Sequence, residues 1–214
     1  MSKFAIGDIH GCLDKLEDLL GKIDPKPDDS LIFLGDYIDR GENTKGVIDA
    51  LIKLSSHCRC IFLRGNHEDM LIEYMEFGSN RSMFRSNGGD MTVLSYTGKK
   101  SSTGKVLAEM LPHNHREFMT KLKWKHEDDN YIYVHAGIRA GIPLNMQDAM
   151  DLIWIRGEFH ETPTGLEKKI IFGHCPFIKP FVRNDKIGID TGAVYGRCLT
   201  AIELPSERFI FSFS

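Results

Sequence analysis

The sequence KFAIGDIHG at residues 3–11 begins with a short hydrophobic run and turns at a glycine into an aspartate and a histidine. The same arrangement returns in LIFLGDYIDRG at 31–41 and in IFLRGNHED at 61–69. Short apolar runs that end at glycine are typical of buried strands. Because α/β proteins carry their sites at the carboxyl ends of strands, the polar residues after each run are candidate site residues.

Helical patterns separate these strands. Leucines fall on one face of residues 12–21, which end in Gly21 as the predicted stop, and TKGVIDALIKL at 44–54 repeats the pattern with Thr44 as the predicted cap. A third helix is predicted over 67–77. Two or three more are predicted between 87 and 123, separated near 98–104 and at Pro112. The N-terminal half is therefore predicted to be α/β, with right-handed strand-helix-strand units.

The second half of the chain has a different pattern. It contains short β-type runs with turns between them, at 131–134, 169–172, 180–183, 186–190, 198–203 and 208–213. We expect these runs to form a second, largely antiparallel sheet packed against the first. Two of them lead into further histidine motifs, HAG at 135–137 and GH at 173–174. The length of 214 residues is that of one domain with a sizeable core, so a single catalytic domain over 1–214 is predicted.

Composition excludes some classes of function. The net charge of −3 lacks the basic excess of a general nucleic-acid-binding protein. No apolar run approaches membrane-spanning length, and the seven residues before Asp8 are too few for a signal peptide. The five cysteines have no framework spacing, which favours reduced thiols. We therefore expect a cytoplasmic protein that binds neither nucleic acid nor membrane.

The motifs supply oxygen and nitrogen ligands for two metal ions. Asp8 and His10 are two positions apart, so in extended chain their side chains point to the same side and can bind one ion. Asp36 can bridge two ions through its two carboxylate oxygens. The predicted metal ligands are Asp8, His10, Asp36, Asn66, His135 and His174, the last three serving the second ion. This set lacks thiolates, which favours Mn²⁺, iron, Zn²⁺ or Mg²⁺ over a structural zinc site.

Two cations about 3.5–4 Å apart polarise a phosphoryl group and activate a bridging water, so hydrolysis of a phosphate ester is the favoured reaction. Planar guanidinium groups suit phosphate, and the candidates are Arg40, Arg64 and Arg156. His67 directly follows Asn66 and is the candidate general acid for the leaving oxygen. Asp39 is the candidate carboxylate that orients His67 and keeps it protonated.

In this order, GDIHG, GDYIDRG, RGNHE, HAG and GH resemble the phosphoprotein phosphatase family of metallophosphoesterases. Within that family the chain is most similar to the small branch of the phage lambda and bacterial serine/threonine phosphatases. The similarity extends to FGHCPFIKP at 172–180 and IDTGAVY at 189–195. It implies a mixed α/β fold with a central two-sheet β-sandwich flanked by helices, and it implies the metal, phosphate and acid roles given above.

The expected function is that of a metal-dependent serine/threonine protein phosphatase, a phosphoric monoester hydrolase that acts on a phosphoprotein or phosphopeptide. A hydroxide that bridges two divalent ions, with Mn²⁺ the expected metal, would attack phosphorus directly. Three arginines around one phosphoryl group favour a terminal phosphate dianion. Two alternatives are a symmetrical diadenosine tetraphosphate hydrolase and a catalytically silent phosphoprotein-binding module.

Overall fold

A computed structural model describes residues 2–213 of the chain. The strands, in chain order, are β1 (Lys3–Ile6), β2 (Ser30–Phe33), β3 (Arg59–Phe62), β4 (Lys125–Glu127), β5 (Tyr131–Val134), β6 (Lys169–Phe172), β7 (Phe181–Val182), β8 (Lys186–Gly188), β9 (Thr200–Leu204) and β10 (Arg208–Phe211). The α-helices, in chain order, are α1 (Leu13–Ile23), α2 (Thr44–Leu54), α3 (Asn66–Phe77), α4 (Arg81–Phe84), α5 (Asp90–Thr97), α6 (Gly104–Met110), α7 (His113–Thr120), α8 (Ala149–Trp154) and α9 (Gly157–Glu161).

The strands form two mixed sheets of five strands each. The first has the order β10-β9-β1-β2-β3. In it β1, β2 and β3 are parallel, β9 pairs antiparallel with β1, and β10 pairs antiparallel with β9. The second has the order β4-β5-β6-β8-β7, in which β5, β6 and β8 are parallel and the two edge strands are antiparallel. Each sheet therefore contains a group of parallel strands, and the loops that follow these strands lie at the same end of the sheet.

The two sheets pack face to face through a shared hydrophobic layer. Successive side chains of a strand point to opposite faces, so in β2 Ile32 joins Ile171 and Ile187 of the second sheet. Leu31 and Phe33 point the other way and pack against α1 and α2. Burying such a side chain fully contributes about 1.5–3 kcal/mol. Helices α8 and α9 cover the outer face of the second sheet, and the predicted two-sheet sandwich flanked by helices is confirmed.

The predicted helices are present, with two changes at their ends. Helix α1 runs through Gly21 to Ile23, whose side chain packs on the core, and ends at Asp24 in the left-handed conformation. The side chain of Asn43, and not that of Thr44, caps α2 by accepting a hydrogen bond from the Gly46 N–H at 3.0 Å. Asn43 was not predicted as the cap because the helical pattern in the sequence begins only at Thr44.

The prediction for the second sheet was wrong in two respects. That sheet is mixed and not largely antiparallel, because β5, β6 and β8 run in the same direction. Strands β9 and β10 belong to the first sheet, where β9 pairs with β1 and covers its edge. Local periodicity identifies a strand but carries no information about its partner, and an uncovered β1 edge would expose unpaired backbone groups.

Among residues 2–213, none of the helices has the length and apolarity needed to cross a lipid bilayer.

Candidate metal centre

The loops that follow β1, β2 and β3 of the first sheet and β5 and β6 of the second converge at one end of the sandwich. Asp8, Asp36 and Asn66 follow β1, β2 and β3 of the first sheet, while His135 and His174 follow β5 and β6 of the second. The turns are sharp, since the backbone φ is +53° at Asp36 and +67° at His174. Left-handed backbone at a residue other than glycine costs about 1–3 kcal/mol, and such strain concentrates at functional sites.

Two glycines allow these loops to approach one another. A Cβ atom at Gly173 would lie 2.2 Å from Oδ1 of Asp8, and one at Gly65 would lie 2.1 Å from Oδ1 of Asp36. Any side chain at either position would therefore push a candidate ligand away. Glycine is required at both positions because the backbone packs directly against the carboxylate of Asp8 or Asp36.

Asp36 occupies the middle of the site and faces two groups of histidines. Its Oδ2 lies 3.5 Å from Nε2 of His10 and 3.9 Å from Nε2 of His67. Its Oδ1 lies 3.4 Å from Nε2 of His135. The ligand atoms of His10, Asp36 and His67 form one close group, and those of Asp36, His135 and His174 form another. This arrangement gives Asp36 the position of a carboxylate shared between two cations.

The group around His135 consists of electron-pair donors without a proton between them. Nδ1 of His135 lies 2.8 Å from the Leu34 carbonyl oxygen, which can only accept, so the ring proton is on Nδ1. Nε2 therefore presents a lone pair, yet it lies 3.1 Å from Oδ1 of Asn66. Acceptors that face one another at this distance fit a cation between them.

The other imidazoles have the same character. Nδ1 of His10 is bound to the Ile38 carbonyl oxygen at 2.7 Å, so the lone pair is on Nε2, the nitrogen that can act as a ligand. Burial and the neighbouring His67 lower the pKa of His10 to about 3, and burial lowers the pKa of His174 to about 2. Nε2 of His174 is buried and has no hydrogen-bond partner within residues 2–213. Neutral rings with exposed lone pairs are the form that binds metals.

Asp8 contacts the loop that carries His174. It accepts hydrogen bonds from the His174 N–H at 3.0 and 3.2 Å. The close group around His10 also contains His67, for which the sequence predicted the role of general acid and not that of a ligand. Burial and the carboxylate of Asp190 raise the pKa of Asp8 above its usual value. Asp190, which the sequence did not single out, is itself buried and has its pKa raised to about 6 by burial. Three buried carboxylates, those of Asp8, Asp36 and Asp190, therefore lie close together and favour a positive charge between them.

His67 and Asp39 form a buried pair next to Asp36. Nδ1 of His67 lies 2.7 Å from Oδ2 of Asp39, and the hydroxyl of Thr92 donates to Oδ1 of Asp39 at 2.5 Å. Burial lowers the pKa of His67, but the carboxylates of Asp36 and Asp39 outweigh this effect and raise it above the usual value. The two carboxylates therefore favour the protonated ring, which is the form that a general acid requires.

The three candidate phosphate-binding arginines have different surroundings. Nη1 of Arg40 lies 2.7 Å from Nε2 of His10, so a cation at that nitrogen would displace the guanidinium. Arg64 stacks over Trp124 at 4.8 Å, and its Nε has no partner within the described chain. Arg156 is exposed at the start of α9, and its charge lowers the pKa of both His135 and His174. Arg40 contacts a candidate ligand directly and the charge of Arg156 acts on two of them, whereas Arg64 contacts Trp124 and Asp69.

Glu68 has a structural role that the sequence only partly indicated. Its carboxylate accepts hydrogen bonds from the backbone N–H groups of Gly65 at 3.0 Å, Asp36 at 2.9 Å and Tyr37 at 2.8 Å. A carboxylate near the start of a helix commonly interacts with the N-terminus of that helix alone. Two of the three bonds instead cross to the loop after β2, so Glu68 ties the loops of Asp36 and Asn66 together.

Comparison with known proteins identifies relatives along nearly the whole chain. The sequence profile of calcineurin-like phosphoesterases matches residues 1–195. A relative from Oceanobacillus iheyensis, named asymmetrical bis(5'-nucleosyl)-tetraphosphatase PrpE, is 29% identical over 96% of this chain and 89% of its own. A similar relative from Halalkalibacterium halodurans is 26% identical over 96% of this chain and 91% of its own.

Solved structures share the fold at lower identity. A putative diadenosine tetraphosphatase has a TM-score of 0.75 at 23% identity and covers 98% of this chain and 92% of its own. A protein serine/threonine phosphatase from Saccharomyces cerevisiae has a TM-score of 0.65 at 14% identity, over 100% of this chain and 80% of its own. The metallophosphoesterase fold expected from the sequence is confirmed. The curated relatives, however, are dinucleoside tetraphosphatases and not phosphatases of the phage lambda type.

Proposed function

This chain belongs to the calcineurin-like phosphoesterase family, and from that premise we propose that it hydrolyses dinucleoside tetraphosphates. Enzymes of the family are hydrolases that use divalent metal ions. The proposed cleavage is asymmetrical, so that one tetraphosphate is divided into a nucleoside triphosphate and a nucleoside monophosphate. This differs from the symmetrical cleavage and from the phosphoprotein substrate that the sequence motifs suggested.

The observation that supports hydrolysis at phosphorus is the position of Asp36, whose two oxygens face separate histidine groups. We assign the metal ions to Asp8, His10, Asp36, Asn66, His135 and His174. Two divalent cations, when bound, would withdraw charge from the phosphoryl oxygens and bring the pKa of a water close to neutrality. Mn²⁺ is the proposed metal, with iron, Zn²⁺ and Mg²⁺ as alternatives for the same nitrogen and oxygen donors.

The substrate is proposed from the relatives. The alignments with these relatives extend over nearly the full length of both proteins. A tetraphosphate chain carries several negative charges, and we assign its binding to Arg40, Arg64 and Arg156, which come from three separate segments of the chain. Guanidinium groups spread in this way can bind successive phosphates as well as one terminal phosphate.

A second candidate, a serine/threonine protein phosphatase, is favoured by one observation. The buried pair of His67 and Asp39 is suited to donate a proton to the leaving oxygen. A serine alkoxide needs that proton. A nucleotide leaves as a phosphate whose second pKa is about 6 and does not need it. The His67–Asp39 pair is therefore the reason to keep a phosphoprotein as the alternative substrate of the same site.

The experiment that tests the proposal compares the two substrates on Mn²⁺-loaded protein. Diadenosine tetraphosphate and a phosphoserine peptide are supplied separately, and the products are separated by anion-exchange chromatography. We expect ATP and AMP in equal amounts and a higher kcat/KM for the dinucleotide. A higher kcat/KM for the peptide would move the assignment to the protein phosphatase, and ADP as the sole nucleotide product would make the cleavage symmetrical. Turnover of neither substrate would support the silent binding module.

A further inference from the structure

An exposed aromatic ring stands beside the candidate metal centre. Tyr195 is 55% exposed, although its neighbour Ala193 is buried. The guanidinium carbon of Arg40 lies 5.7 Å from the centre of the Tyr195 ring. The same guanidinium reaches Nε2 of His10 at 2.7 Å. Arg40 thus connects the ring directly to the predicted position of one metal ion.

The turn that carries Tyr195 is held in place by a buried lysine. Nζ of Lys15, from α1, donates to the carbonyl oxygens of Ala193 at 3.0 Å and Arg197 at 2.5 Å. A lysine that is almost fully buried is uncommon, because removing an ammonium group from water is costly unless it is well paired. Here the charge of Lys15 is used to fix the two ends of one short turn. The ring is therefore presented on a rigid support and not on a loose loop.

Space for a large group adjoins this turn. A cavity of about 620 Å³ is lined by Ala193, Val194 and Gly196, which flank Tyr195 in the turn, and by Gly11 and Arg40. Arg40, which lines this cavity, also reaches Nε2 of His10 and so connects the cavity with the metal centre. Ligand cavities in proteins range from about 300 to 1,000 Å³, and this one has room for a nucleoside.

We propose that the ring of Tyr195 is a stacking platform for a nucleobase of the substrate, with Arg40 binding the phosphate nearest to that nucleoside. The proposal rests on the proposed hydrolysis of a dinucleotide and specifies where one of its bases lies. Every base has a π-face, so stacking on an aromatic ring is the contact that this position can supply. Arg40 lies between the ring and His10. A metal ion on Nε2 of His10 would displace its guanidinium from that nitrogen and leave it available to bind the phosphate beside the ring.

The test measures binding and does not depend on turnover. Two ligands that resist hydrolysis differ only by the nucleoside: α,β-methylene-ADP and methylenediphosphonate. Their Kd values are measured by calorimetry on Mn²⁺-loaded wild-type protein and on Tyr195→Ala, Tyr195→Phe and Phe77→Ala. Phe77 is 74% exposed on α3 and is the matched control for loss of a surface aromatic ring.

We expect Tyr195→Ala to raise the Kd of α,β-methylene-ADP by at least about fivefold, which is the smallest effect expected for the loss of one base–aromatic stack. Methylenediphosphonate should bind as in the wild type. Tyr195→Phe retains the ring and should retain affinity, and Phe77→Ala should change neither Kd. Equal Kd values of α,β-methylene-ADP for wild type and Tyr195→Ala would overturn the platform.

The two proposals fail in different ways. If diadenosine tetraphosphate is cleaved but Tyr195→Ala binds α,β-methylene-ADP normally, the substrate assignment stands and the platform is wrong. If the dinucleotide is not cleaved but Tyr195→Ala loses affinity for α,β-methylene-ADP alone, the platform stands and serves a different nucleotide.

Discussion

Nδ1 of His67 lies 2.7 Å from Oδ2 of Asp39, and both side chains are buried next to the carboxylate of Asp36. A carbonyl partner would leave the imidazole neutral, as it does at His10. A carboxylate partner favours the imidazolium, and this difference separates the role of His67 from that of the neighbouring histidines. The same ring is nevertheless close enough to His10 and Asp36 to be counted among potential metal ligands.

Replacement of His67 distinguishes a general acid from a metal ligand. If it is the acid, His67→Asn should lower kcat by about 10²–10⁴ for a phosphoserine peptide and by much less for diadenosine tetraphosphate, whose leaving phosphate needs no proton. Metal content, measured by elemental analysis, should stay unchanged. His57→Asn, at an exposed histidine, is the matched control. Loss of bound metal together with equal losses on both substrates would make His67 a ligand.

The pH dependence should reflect the raised pKa of His67. The acid works only while protonated, so the rate on a phosphoserine peptide should fall as the pH rises through a pKa above the usual value of about 6.5. Replacing Asp39 by asparagine removes a charge that stabilises the imidazolium, and this fall should move to lower pH. Steady-state kcat profiles measure the shift. An unchanged profile in Asp39→Asn would mean that Asp39 does not control the proton on His67.

Metal removal tests the shared position of Asp36. Protein treated with a chelator should lose phosphoesterase activity and regain it on addition of Mn²⁺. Asp36→Asn should lower the affinity of both sites, because each loses the same negative charge. Calorimetric titration with Mn²⁺ should then show two weakened sites, whereas Asp24→Asn, at an exposed carboxylate, should titrate like the wild type. Weakening of one site alone would contradict the bridge, and full activity without metal would contradict the centre itself.

Loss of the Glu68 carboxylate should destabilise the fold as well as the site. Glu68→Ala leaves three buried backbone N–H groups without their acceptor. Each unsatisfied group costs about 1–3 kcal/mol, so a decrease of several kcal/mol in the free energy of unfolding is expected. Urea denaturation measures it, with the exposed Glu76→Gln on the same helix as control. A decrease below about 1 kcal/mol would mean that water replaces the carboxylate.

Much of the fold and of the site could be predicted from the sequence because both depend on local patterns. The runs before Gly7, Gly35 and Gly173 are short and apolar enough to be strands, and a ligand that directly follows a strand must lie at that strand's end. Parallel neighbours bring such ends together. The neighbourhood of Asp8 and Asp36, which follow the adjacent parallel strands β1 and β2, follows from these facts alone. The approach of His135 and His174 to Asp36 depends in addition on how the second sheet is built and packed.

Other features depend on contacts between distant parts of the chain. The pairing of β9 with β1, the approach of Asp190 to Asp8 and the reach of Glu68 to the loop of Asp36 join residues far apart in sequence. No local periodicity encodes such contacts, because they are set by how two sheets pack. The sequence by itself determined the strands, the turns and the chemical types of the ligands. Only the tertiary structure decided which carboxylate faces which histidine and placed the Tyr195 ring beside Arg40, since both follow from the packing of whole elements.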